Sequence, residues 1–158
     1  MRSVTIFILL LGMFPVFSQS KSITRFRSDF KENSNMFFYS STLKMLNTEN
    51  NPEIAEILDE IEEIRVLNYN RADQKFGKTD IAALKQDLVK ETFNSILMIN
   101  EKGNSVNVYN REKKGKTIGI VAIVENSESL VLIDLIGNID VNKFLELKKK
   151  LETRSAIL

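Results

Sequence analysis

Apolar and polar positions alternate along this chain in two different rhythms. From residue 22 to 35, SITRFRSDFKENSN places Ile23, Phe26 and Phe30 at i, i+3 and i+7 with charges between them, which predicts one helical face. MFFYSS (36–41) predicts a short strand, and STLKML (41–46) a helical turn. Pro52 can open a helix at its first position. Ile54, Ile57, Leu58 and Ile61 give that helix an apolar stripe opposite Glu53, Glu56, Glu60 and Glu63. IRVLNY (64–69) alternates as a strand does. A further helix follows, with Thr79 or Asp80 as its expected cap and Ile81, Leu84 and Leu88 as its stripe.

Beyond residue 94 the rhythm shortens. SILMIN, SVNVYN, TIGIVAIV and SLVLIDLIG are four β-type runs separated by the polar segments EKGN, REKKGK and ENSE. This pattern predicts a four-stranded antiparallel meander. Gly137 is expected to break its last strand and Asp140 to cap a closing helix with Val141, Phe144, Leu145, Leu147 and Leu151 as its apolar set. The fold class expected is α+β, a mostly antiparallel sheet with helices packed on it. No internal repeat or long low-complexity run divides the chain, so residues 19–158 read as one domain. Residues 19–35 are expected as a peripheral helix or a mobile arm.

Two of the runs are apolar on both faces. In 117–124, Ile118, Ile120, Ala122 and Val124 point one way and Gly119, Val121 and Ile123 the other. In 130–136, Val131, Ile133 and Leu135 oppose Leu130, Leu132, Asp134 and Ile136. A sheet wetted on one side alternates apolar with polar, so both faces here call for a cover. Each large apolar side chain left in water forgoes about 1.5–3 kcal/mol. Asp134 is the exception within its run, and is expected near the rim of the mixed face, within reach of water or a lysine.

Composition narrows the chemistry. The chain of 158 residues has no Cys and no His. Imidazole catalysis, nitrogen-ligated metals, thiolate nucleophiles and iron–sulfur clusters are thereby excluded. Carboxylates, Ser, Thr, Lys and Tyr remain. The first residues, MRSVTIFILLLGMFPVFSQS, have a basic start, an apolar run from Val4 to Phe17 and small residues Val16 and Ser18. This is the grammar of a secretory signal cleaved between Ser18 and Gln19. The run is too short for the roughly 20 residues of a membrane-spanning helix. Removing residues 1–18 takes away Arg2 and leaves 21 basic against 21 acidic residues. An exported, formally neutral chain has no global field to draw nucleic acid or an anionic membrane surface. No cofactor is expected.

Ser41-Thr42-Leu43-Lys44 matches S-x-x-K, in which a lysine one helical turn away activates a serine. Its companions are missing, since Lys116-Thr117 is followed by Ile118 and no S-D-N triplet occurs. Gly115-Lys116-Thr117 has the tail of a phosphate loop, but Asn110 stands at the required leading glycine and the context is strand to strand. The acidic residues from Glu53 to Glu63 surround a helix and do not form an ion-binding loop. The basic REKKGK (111–116) and Lys148–Lys150 read as solvated.

FYSSTLKMLN, EIRVLNYN and LVLIDLIGNIDVNKFLEL together resemble a family of small exported bacterial envelope proteins known only as a domain of unknown function. The resemblance covers most of the chain after residue 18 and is most specific at the last strand, Gly137, Asp140 and the closing helix. In that family the position of Asp134 is often polar and that of Ile136 often hydroxylated; this chain departs by carrying Ile136. The resemblance implies an α+β envelope protein, with genes often near envelope-stress sigma-factor regulators, and supplies no catalytic residues. The two-sided apolar sheet and the missing catalytic side chains lead to the expectation of a non-catalytic exported protein, such as an envelope-stress or sensing accessory, acting by contact with an envelope protein or a second copy. Val121, Ile123, Asp134 and Ile136 form its expected contact face. The alternatives are a carrier of a small apolar ligand between helices and sheet, and a hydrolase using carboxylates or the Ser41–Lys44 pair.

Overall fold

The computed structural model describes residues 19–73 and 75–140. Four helices and six strands follow in the order α1 (Lys21–Asp29), β1 (Ser34–Tyr39), α2 (Ser40–Met45), α3 (Pro52–Glu60), β2 (Ile61–Asn70), α4 (Lys78–Lys90), β3 (Phe93–Glu101), β4 (Asn104–Lys113), β5 (Lys116–Glu125) and β6 (Ser129–Ile139). The fold class is α+β, as expected. All six strands join one antiparallel sheet in the order β1-β2-β6-β5-β4-β3. The strands β3 to β6 pair in chain order, and β2 lies on the far side of β6. The edges are β1 and β3.

Local chemistry sets the boundaries. Ser20 caps α1 by accepting the Ile23 N–H at 3.2 Å. The Asn51 side chain accepts the N–H groups of Glu53 and Ile54, and Pro52 opens α3. Ile61 closes the expected helical stripe, but the chain is already extended there and Ile61 begins β2. The cap of α4 falls at Gly77 instead of Thr79 or Asp80. Asp80 acts from three residues inside the helix, its carboxylate accepting the Gly77 N–H at 2.7 Å. Lys102-Gly103 and Lys114-Gly115, all at positive φ, make the two-residue turns on either side of β4.

Each sheet face has its own core. On the inner face, Ile23 and Phe26 of α1 and Ile81, Leu84 and Leu88 of α4 pack on Leu67, Tyr69, Tyr109, Val121, Ile123, Leu130 and Leu132. Phe26, Phe30, Tyr69 and Phe76 gather there with tilted and edge-to-face ring contacts. Burial pushes the Tyr69 phenol up to about 12, so Tyr69 serves as apolar filling and not as a proton donor near neutral pH. Within residues 19–35, α1 forms as a helix whose Ile23 is fully buried against the sheet, and β1 begins at Ser34. On the outer face, Leu43 of α2 and Ile57 and Leu58 of α3 pack on Phe38, Ile61, Ile64, Ile120, Leu135 and Ile139.

Gly137 does not end its strand, as β6 continues to Ile139. It lies where the ladders slip, between the pairs Thr117–Ile139 and Gly119–Ile136. A Cβ at Gly137 would stand 2.1 Å from the Glu60 carbonyl oxygen and 2.9 Å from the Ile61 Cα. Only a glycine lets the turn from α3 into β2 close on β6. Asp140 donates its N–H to Glu60 Oε2 at 2.9 Å. The helix expected to follow Asp140 lies outside the described residues.

Candidate functional site

Asp134 sits in the middle of the inner face, not at a rim. Its register partners are Arg65 on β2 and Val121 on β5. Arg65 Nη2 lies 2.7 Å from Asp134 Oδ2, and each side chain is only 3% exposed. The Ser20 N–H approaches the same oxygen at 3.4 Å. Arg65 Nε is buried without a partner. The carboxylate is therefore held by a guanidinium inside the core, under the start of α1. That arrangement fixes α1 against the sheet and leaves no room for a substrate at the acid.

A second carboxylate completes the anchor. Glu91, just past the end of α4, accepts the Lys21 N–H and both the N–H and hydroxyl of Ser22, and it lies 3.4 Å from the Ser20 hydroxyl. Gln19 Nε2 donates to Glu63 at 3.1 Å. Two carboxylates thus meet the positive end of α1, where unpaired N–H groups favour negative charge. Neither Arg65 nor Glu91 stood out from the sequence. Arg65 interrupts the apolar alternation of IRVLNY, which was the one available signal, but its partner depends on strand register.

This packing moves the expected contact face indoors. Val121 and Ile123 are fully buried, and Asp134 and Ile136 nearly so. The reason is the side chosen by α1 and α4, which cover the face carrying these four residues. The uncovered apolar surface lies on the opposite side. There, Met36, Val66, Ile133, Val131, Ala122, Val124, Val106, Val108, Leu97 and Ile99 run across all six strands by register. Among the described residues, α2 and α3 pack on one end of this face. The central positions are half-buried, and the β3 end is open, with Leu97 and Ile99 each 45% exposed; Met98, opposite Asn107, turns to the inner face and is 63% exposed. An apolar band of this breadth is uncommon on a protein surface without a partner.

A cleft of about 600 Å³ between α4 and the sheet mixes apolar and charged walls, with Ile81 and Ala82 beside Arg71, Lys78 and Lys85. Arg71 and Lys85 bind Glu125 at 3.0 and 2.9 Å. Lys44 reaches Asp59 on α3 at 2.7 Å, with both side chains largely in solvent, so it is engaged away from Ser41. Gly115-Lys116-Thr117 lies in the β4–β5 hairpin and opens no helix. Among the described residues no cluster of three or more carboxylates is placed to hold a metal ion, and no helix is long and apolar enough to cross a membrane.

No curated protein and no solved structure matches the chain. Residues 17–147 match the family model "Domain of unknown function (DUF4252)", and the chain belongs to that family.

Proposed function

We propose that this DUF4252 member is an exported envelope protein that works by binding another protein chain, not by catalysis. The observation that carries this reading is the apolar band on the outer face, open at β3. Burying it would recover about 25 cal/mol for each Å² of apolar surface removed from water. The polar groups that could have served chemistry are engaged structurally. Asp134 is held by Arg65, Glu91 by the start of α1, Glu125 by Arg71 and Lys85, and Lys44 by Asp59.

Export rests on the leader at residues 1–18, with cleavage between Ser18 and Gln19. The closing helix after Asp140, with Val141, Phe144, Leu145, Leu147 and Leu151 as its apolar set, belongs to the same reading. A photo-crosslinking residue at Ile99, introduced in the producing cell, tests the contact. Adducts to protein are expected at Ile99 and not at Lys114, in the hairpin at the other end of β4. Absence of any adduct at Ile99 would refute the contact role. Recovery of the chain from the cell interior with its leader intact would refute export.

A further inference from the structure

The edge of β3 is built to pair with itself, and we propose that the partner it takes is a second copy of this chain, joined antiparallel about Met98. The proposal rests on the contact reading above and concerns the backbone edge of β3, leaving the outer-face band itself open. Sheet edges are normally blunted with charge, proline or cover. At the other edge, Phe37 of β1 is half-buried beneath the Arg27 guanidinium, and Asn35 is held by Glu32. On β3, no charge and no proline occurs from Phe93 to Asn100, and four consecutive large apolar residues are exposed. One protective device is present, a bulge between Ser95 and Leu97; it leaves Leu97 to Glu101 in regular register with β4.

The hairpin decides which backbone groups are available. Lys102-Gly103 is a two-residue turn with φ of 48° and 85°, so Glu101 and Asn104 form the closing hydrogen-bonded pair. Alternation then turns the N–H and C=O of Ile99 and Leu97 toward β4, and those of Met98 and Asn100 outward. An antiparallel copy centred on Met98 uses those outward groups. It sets Met98 against Met98 of the second copy, Leu97 against Ile99 and Ser95 against Glu101. Glu101, the one charge on the strand, meets a serine and not another carboxylate. On the outer face, Leu97 and Ile99 of the two copies close over each other, so the two apolar bands become continuous across twelve strands. The interface is twofold and self-limiting. A few exposed side chains and a short strand edge per copy fall short of the roughly 1,200 Å² typical of stable interfaces, so the dimer dissociates in the micromolar range.

Sedimentation velocity on the purified chain tests this from about 1 to about 200 μM. A reversible monomer–dimer equilibrium is expected, shifting to monomer in Met98→Lys. Met98→Pro is the sharper variant: it removes an outward N–H that the β3–β4 ladder does not use, so the fold is kept while pairing is lost. Circular dichroism verifies the fold; should Met98→Pro unfold, Met98→Lys carries the test. The chain has no cysteine, so Met98→Cys under mild oxidation is expected to give a covalent dimer while Val89→Cys on α4 stays monomeric. A wild-type chain that is monomeric throughout this range, or a folded Met98→Pro that still dimerises, would overturn the proposal. A crosslink in the cell from Ile99 to a different protein, with the purified chain monomeric, would overturn self-pairing and leave the contact role standing.

Discussion

Replacing Asp134 by Leu removes one half of an ion pair that has almost no contact with water. Both side chains are 3% exposed and the pair is closed by one 2.7 Å contact. Breaking a buried pair by removing one partner costs about 3–5 kcal/mol, because the surviving charge is stranded. Here the stranded group is the Arg65 guanidinium, whose Nε already has no partner, and the Ser20 N–H loses its acceptor at the same time. The upper part of that range is therefore expected, which for a domain of this size lowers the melting temperature by more than about 10 °C. Replacing both members with apolar residues, Arg65→Met with Asp134→Leu, removes the stranded charge. The double variant is expected within about 1 kcal/mol of the parent, or above it. Urea unfolding followed by far-ultraviolet circular dichroism measures all four proteins of the cycle, including Arg65→Met alone. A loss below about 1 kcal/mol for Asp134→Leu, or a double variant no better than the worse single one, would refute the assignment of a buried, mutually dependent pair.

Two further outcomes follow from local geometry. Gly137→Ala forces a Cβ into the Glu60 carbonyl, so the α3–β2 turn has to move; a loss of about 2–4 kcal/mol is expected in the same unfolding assay, against about 1–2 kcal/mol for Gly115→Ala, where the space is open and only the positive φ is strained. Arg27 holds the Glu32 carboxyl down at about 2, from an ordinary 4.5. A depressed carboxylate stabilises the fold fully above the unfolded value and loses that contribution as pH falls from about 4.5 to about 2. Arg27→Gln is therefore expected to cost up to about 1 kcal/mol at neutral pH and nothing near pH 2, a convergence that chemical unfolding at about pH 7, 4 and 2 would reveal or exclude.

Much of the architecture was legible because it depends on neighbours in the chain. The i, i+3, i+4 apolar stripes placed α1, α3 and α4, and short β-type runs between polar turns placed β3 to β6. The two-sided apolar character of 117–124 and 130–136 was also legible; α1 and α4 cover one face, and α2 and α3 pack on one end of the other. The sequence excluded imidazole and thiol chemistry outright, since neither side chain is present. What a single chain pattern does not carry is which helix takes which face. Alternation assigns Val121, Ile123, Asp134 and Ile136 to one side of the sheet, but α1 and α4 approach from across the molecule and decide that this side is the interior. Arg65 and Asp134 stand 69 residues apart. Their pairing depends on β2 lying beside β6, a crossover that local propensity does not encode. The strand break expected at Gly137 failed for the same reason: its glycine answers a backbone brought near by tertiary folding, not a turn. The sequence by itself determined the elements and the chemistry available to them; tertiary packing alone determined which apolar surface was left facing water, because burial is a property of what arrives from elsewhere in the chain.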